Sequence, residues 1–134
     1  MKPSTRALAV TALAILLAAC TSDIEPLGPT PIDQGVVIFT HAGFTGTSQQ
    51  IAVDVTNLGK VEGPCGDSEG TRTWDDCISS VRVLPGWGAT LYGDRDYRGA
   101  TLELTEDVLD LSQRLGSCSG SYNDCISSIR VYRR

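Results

Sequence analysis

Two six-residue segments concentrate the oxygen chemistry of this chain. Asp75-Asp76-Cys77-Ile78-Ser79-Ser80 and Asn123-Asp124-Cys125-Ile126-Ser127-Ser128 each set two carboxylate or amide side chains ahead of a cysteine and a pair of serines. Short polar side chains hydrogen-bond their own backbone and favour tight turns. Carboxylates, hydroxyls and turn carbonyls are also the ligands of a hard cation such as calcium, which takes about six to eight oxygens in flexible geometry. One such segment holds too few oxygens to surround an ion. Two segments brought together can share the work.

Both segments belong to a longer repeat. Phe39, Phe44 and Gly46 recur as Tyr92, Tyr97 and Gly99, each 53 positions later. Ile51, Asp54, Val55 and Leu58 recur as Leu104, Asp107, Val108 and Leu111, and Cys65 as Cys118, at the same offset of 53. From Asp75 to Asn123 the offset is 48, so the first copy carries five extra residues. They fall in residues 66–73, a turn-rich stretch where a loop lengthens at small entropic cost. A fixed period of this kind predicts two copies of one structural unit, at about 36–86 and about 87–134.

The elements around the segments read as strands. Val36 to Phe39 is a short apolar run. Ile51, Val53 and Val55 alternate with polar residues, as do Val81 and Val83, Leu102 and Leu104, and Ile129 and Val131. Such alternation between turn residues is the strand signal. Residues 104–115 are expected to include a short helical turn. About four strands per copy give about eight, enough for an all-β sandwich of two packed sheets. Glycine at Gly46 and Gly99 suits a tight turn with positive φ. The aromatics before those glycines are expected to pack over the folded hairpin, with core as their plain reading. Trp74 and Tyr122 read as core or loop-packing aromatics, and Trp87 as a packing residue at the connection between the copies.

The amino terminus stands apart. Lys2 and Arg6 precede an apolar run from Ala7 to Ala19, too short to span a bilayer and of signal-peptide length. The run ends Leu17-Ala18-Ala19-Cys20, which resembles a bacterial lipobox. That resemblance implies cleavage after residue 19, lipid on Cys20 and a membrane anchor. Thr21 is not the aspartate of an inner-membrane retention signal, so the outer membrane or cell surface is expected. Residues 20–35 include three prolines and no hydrophobic period, and read as a tether. The remaining 99 residues, 36–134, suit one small domain with a modest core.

Four cysteines remain in that domain. An exported chain meets an oxidising compartment, where an even set reads as two disulfides. The repeat favours Cys65–Cys77 and Cys118–Cys125, which closes both copies alike. The rival reading is a four-cysteine zinc site, but such sites use close C-x-x-C pairs that these spacings lack.

The paired motifs resemble the βγ-crystallin family. An aromatic, four residues, a second aromatic, one residue and glycine are followed some thirty residues on by [N/D]-[N/D]-x-x-[S/T]-S. Phe39, Phe44 and Gly46 with residues 75–80, and Tyr92, Tyr97 and Gly99 with residues 123–128, complete the pattern twice. The resemblance covers residues 36–134. It implies a two-sheet sandwich of two Greek-key motifs and two calcium ions clamped between the copies. One site would comprise Thr40, Ser79, Asp124 and Cys125. The other would comprise Gly93, Asp76, Cys77 and Ser127. In each set the first and the cysteine residue act through backbone carbonyls. Asp75, Asn123, Ser80 and Ser128 would steady the turns. Cysteine at the x position departs from the usual pattern, and a disulfide there would hold the loop before metal arrives.

Other function classes find little support. The whole chain has 11 basic and 16 acidic side chains; without residues 1–19 it keeps nine basic ones and a net charge of −7. An acidic surface argues against nucleic acid as a partner. His41 is the single histidine, so no paired-histidine chemistry is available, and no nucleophile elbow is present. No enzyme is expected. The expected role is a monomeric, envelope-anchored calcium module with an unassigned protein or glycan partner. The alternative is a proteinase inhibitor, since a secreted inhibitor family resembles the same fold. Its reactive segment would be the loop at residues 66–73, closed by Cys65–Cys77.

Overall fold

The computed structural model describes residues 33–66 and 69–134. The expected signal peptide, Cys20 as its expected lipidation site and the expected tether up to residue 32 lie outside the described residues, as do Asp67 and Ser68 of the insertion. Among the described residues no helix is long and apolar enough to cross a membrane.

Each copy opens with an antiparallel hairpin: β1 (Val36–His41) and β2 (Thr45–Ile51), then β6 (Trp87–Asp94) and β7 (Arg98–Leu104). Each copy closes with a strand that returns beside the first: β5 (Ser80–Val83) and β9 (Ser128–Arg133). The two resulting sheets have the orders β2-β1-β5 and β7-β6-β9. Alternation along β1 buries Val36 and Ile38 completely, and along β6 it buries Ala89 and Leu91. These side chains meet Leu58, Trp74, Ile78, Val81, Leu111, Ile126 and Ile129 in one core between the sheets. The fold is an all-β sandwich of two Greek-key units.

The copies are exchanged rather than merely stacked. Val55 of the first copy exchanges two backbone hydrogen bonds with Ile129 of the second, at 2.8 and 2.9 Å. Val108 of the second does the same with Val81 of the first, at 2.8 and 3.0 Å. The neighbouring carboxylates extend each junction. Asp54 accepts the Val131 N–H at 2.9 Å and Asp107 accepts the Val83 N–H at 2.7 Å. Each sheet is thus completed by a segment from the other copy.

That exchange corrects one sequence reading. The alternation of Ile51, Val53 and Val55 does not continue as a strand. β2 ends at Ile51, Val53 is 71% exposed, and Val55 serves the opposite sheet. A second difference is the strand count, nine among the described residues against about eight expected. The extra residues of the first copy let β3 (Glu62–Gly66) pair with a short β4 (Arg72–Thr73) as a separate ribbon. In the second copy β8 (Leu115–Cys118) closes on Ser121 alone.

The helical turn expected within residues 104–115 is a single 3₁₀ turn at Leu111–Gln113, capped where Asp110 accepts the Ser112 N–H at 2.9 Å. Its counterpart, Leu58–Lys60, is capped by Asn57 through Gly59 N–H at 2.8 Å. The sequence reading anticipated only the former. Trp74 and Tyr122 are core residues, 1% and 5% exposed. Trp87 is half-buried, with the Arg133 guanidinium 5.1 Å from its ring.

Candidate functional site

Each aromatic–glycine hairpin folds back sharply. Gly46 and Gly99 have φ of +80° and +78°, in the region that glycine alone enters freely. A Cβ on Gly99 would also stand 2.6 Å from the Asp94 carboxylate. The aromatics pack over the hairpin, as expected, and outside the buried core. Phe39 lies 5.7 Å from Phe44 and Tyr92 lies 5.5 Å from Tyr97, ring to ring. Arg82 caps Phe44 at 4.5 Å and Arg130 caps Tyr97 at 4.1 Å, a cation–π arrangement that shields these half-buried rings.

The last serine of each motif ties its hairpin down. Ser80 Oγ donates to the His41 carbonyl at 2.6 Å and accepts the Phe44 N–H at 3.1 Å. Ser128 Oγ does the same with the Asp94 carbonyl at 2.6 Å and the Tyr97 N–H at 3.1 Å. Both serines are fully buried. The preceding serine then joins the backbone beside each hairpin: Ser79 N–H donates to Phe39 O and Ser127 N–H to Tyr92 O, both at 2.9 Å. Thr40 and Gly93 are the next residues along. The motif loops are therefore pinned against the hairpin turns.

The two loops also cross. Asp76 N–H donates to Ile126 O at 3.2 Å, and Asp124 N–H donates to Ile78 O at 3.1 Å. Both aspartates have left-handed backbones, with φ of +51° and +49°. Aspartate tolerates that region better than most residues. Across the crossing, Ser79 Oγ donates to Asp124 Oδ1 at 3.3 Å. Asp76, Gly93 and Ser127 line one open cavity of about 610 Å³. Ser79 and Asp124 are thus together, and so are Asp76, Gly93 and Ser127. A Cβ placed on Gly93 would lie 3.8 Å from the Cys125 carbonyl oxygen, so that carbonyl faces the hairpin of its own copy. His41 Nδ1 donates to the Thr40 carbonyl at 2.9 Å, which leaves that oxygen a second lone pair.

The motif cysteines are buried and bonded. Cys65 pairs with Cys77 and Cys118 with Cys125, at Cα separations of 6.0 and 5.8 Å. The cysteines are therefore not available as a zinc site. Each disulfide anchors its motif loop at the x position.

Negative charge gathers at one end of the crossing. Asp75 pairs with Arg95 at 3.0 Å, yet its Oδ1 is buried without a hydrogen-bond partner. Asp76 is exposed as a residue, but desolvation of its carboxyl pushes its pKa above the ordinary value. Asp75, Asp124 and Asp94 push the same way, and Arg95 opposes them. Asn123 donates to Asp124 Oδ2 at 2.9 Å. A hard cation fits these surroundings, because the donors are oxygens and the carboxylates repel one another. Among the described residues no group of three or more His, Cys, Asp or Glu side chains converges as a metal cage. Carbonyl and hydroxyl oxygens would have to supply much of the coordination.

The sequence reading passed over Asp94, Arg95 and Asp96. Their signal was the charged run between Gly93 and Tyr97, at the hairpin turn that carries a proposed carbonyl ligand. The proposed inhibitory loop sits in the β3–β4 ribbon. Glu62, Gly66, Gly70 and Arg72 there are exposed, and Arg72 Nη2 donates to the Pro64 carbonyl at 2.6 Å.

Solved structures support the architecture, and a family model matches the sequence. A sequence model of peptidase inhibitor family I36 matches residues 37–104, half of the chain. Among solved structures, a βγ-crystallin domain from Flavobacterium johnsoniae is 28% identical, with a TM-score of 0.56 over 75% of this chain and 97% of that one. A structure described as bearing on the evolution of the eye lens βγ-crystallin domain fold is 27% identical, with a TM-score of 0.61 over 81% of this chain and 95% of that one. The N-terminal domain of protein S, 23% identical with a TM-score of 0.55 over 74% and 96%, shares the fold. No curated protein sequence matches the chain.

Proposed function

The chain belongs to peptidase inhibitor family I36, built here on a βγ-crystallin fold, and from that premise we propose that it is a calcium-binding module of the cell envelope. The observation that carries this reading is the contact of Ser79 with Asp124 across the two copies. It brings together two oxygen ligands that neither copy holds alone. Thr40 would complete that set through its carbonyl. Asp76, Ser127 and Gly93 would form the second, and the Cys125 carbonyl, grouped with Thr40 from the sequence, lies beside Gly93. Bound calcium would supply positive charge for the Asp76 and Asp124 carboxylates, and residues of both copies would hold it in common. The disulfides hold both loops in place beforehand, which lowers the ordering cost of binding.

Two disulfides in so small a domain suit an oxidising compartment outside the cytoplasm. With the lipobox-like residues 17–20 they support an exported chain tethered through lipid on Cys20, with residues 20–35 as spacer. The acidic surface disfavours nucleic acid. A non-catalytic role accords with the fold and with the family.

Family membership favours a second reading, inhibition of a peptidase. Glu62, Gly66, Gly70 and Arg72 of the β3–β4 ribbon are exposed, and Cys65–Cys77 ties the ribbon to the motif loop, which suits a rigid inhibitory segment. The readings are compatible, since calcium would stiffen the frame behind the ribbon. Calcium titration by calorimetry tests the first. Assays against a panel of metallo- and serine peptidases, with residues 67–71 deleted as the control, test the second.

A further inference from the structure

The two proposed cation sites sit in unequal fields. In the first hairpin the residues after Thr40 are His41, Ala42 and Gly43. In the second, the residues after Gly93 are Asp94, Arg95 and Asp96. Arg95 therefore occupies the place that Ala42 occupies in the first copy. Its guanidinium reaches across the copies to Asp75, with Nη2 3.0 Å from Oδ2. Asp75 is the motif neighbour of Asp76, and its side chain is only 19% exposed. The equivalent neighbour in the other loop is uncharged Asn123, which donates its amide to Asp124 directly. One loop thus settles its ligand carboxylate with a neutral amide. The other holds two adjacent carboxylates and borrows a fixed positive charge from the opposite copy.

We propose that Arg95 is a built-in counter-cation for the Asp76–Ser127 site, which holds the calcium affinity of that site below what its carboxylates alone would give and leaves the other site untouched. The inference rests on the calcium reading above. Before metal binds, Arg95 offsets the repulsion between Asp75 and Asp76 and joins the two copies where a divalent ion would join them. Once an ion arrives, the same guanidinium repels it. Such a device separates folding from calcium: the chain keeps its frame at low calcium, and the site responds at a higher concentration than it would without the guanidinium. The neighbouring Asp94 and Asp96 raise the pull of this site on any cation, so removal of Arg95 leaves a strongly negative pocket.

Calorimetric titration of the oxidised chain with calcium, repeated on Arg95→Gln, Arg95→Lys and Ala42→Arg, tests this. Repulsion between a divalent ion and a single charge about 8 Å away in water-like dielectric corresponds to roughly fivefold in affinity. Arg95→Gln should tighten one of two sites by about that factor, leave the other unchanged, and lower the melting temperature in chelator. Arg95→Lys, which keeps the charge, should behave as wild type in affinity. Ala42→Arg should weaken the other site. If wild type binds two ions and Arg95→Gln leaves both affinities unchanged or weakens one, the counter-cation role is overturned while the calcium reading stands. If wild type binds no calcium at millimolar concentration, the calcium reading itself fails and takes this role with it.

Discussion

Ser79 and Asp124 stand 45 residues apart in the chain and meet side chain to side chain, the hydroxyl donating to the carboxylate at 3.3 Å. One lies in each copy, so no isolated copy can form this pair. The contact follows from the exchange of Val55 and Val108 between the sheets, which forces the motif loops to cross.

The crossing predicts which substitutions act together. Asp124→Ala and Ser79→Ala should abolish one calcium site, and Asp76→Ala and Ser127→Ala the other. Titration of the single and paired variants checks this through stoichiometry. Loss of one shared site by Asp76→Ala and Ser79→Ala would show that each loop binds its own ion.

Ser80 and Ser128 should matter for stability more than for binding. Each is fully buried and serves one carbonyl and one N–H. Alanine would strand both groups, at a cost of about 1–3 kcal/mol. Chemical denaturation in chelator measures it. A loss below a few tenths of a kcal/mol would mean that water replaces the hydroxyl.

Both disulfides should support the metal-free fold. Each restricts the unfolded chain, with a typical worth of about 2–4 kcal/mol. The oxidised chain should stay folded in chelator, and the reduced chain should be marginal. Denaturation midpoints with and without reductant, both in chelator, decide it. Equal midpoints would assign the stability to the core alone.

Acid should weaken calcium binding at Asp76 before it does so at an ordinary carboxylate. The Asp76 pKa is raised in the folded chain, chiefly by desolvation and then by Asp75. A raised carboxylate pKa favours the metal-free fold below the unfolded value of 3.8, and that contribution is lost as pH rises through the folded value. Calcium needs the ionised form, so affinity should fall as pH drops through the same raised value, with proton release on binding. Titrations in buffers of different ionisation enthalpy report the released proton. Affinity that stays flat as pH falls to the unfolded carboxylate value of 3.8 would contradict a ligand role for Asp76.

Much of the site was legible because the repeat wrote it twice. The constant offset of 53 aligned Phe39 with Tyr92 and Cys65 with Cys118, and the structure pairs the cysteines within each copy. The exchange was not legible. Val53 and Val55 continue the period of β2, and nothing local says that the chain turns away at Ile51 to serve the opposite sheet. The Arg95–Asp75 pair was hidden for a similar reason, since 20 residues and a copy boundary separate its members. The aromatics were expected over their hairpins, but not the guanidiniums that cover them, Arg82 on Phe44 and Arg130 on Tyr97.

Calcium titration of the oxidised chain by calorimetry, with melting followed in parallel, is the most direct measurement. Extracellular modules of this kind bind at about 10⁻⁴ to 10⁻³ M, and tighter where the loops are rigid. Two ions per chain are expected. Each should add about 2.7 kcal/mol of stability at a hundredfold excess over its Kd, so the melting temperature rises with calcium and falls with chelator. No heat of binding and an unchanged melting temperature at millimolar calcium would contradict the cation clamp and leave the family I36 fold to act through its exposed ribbon alone.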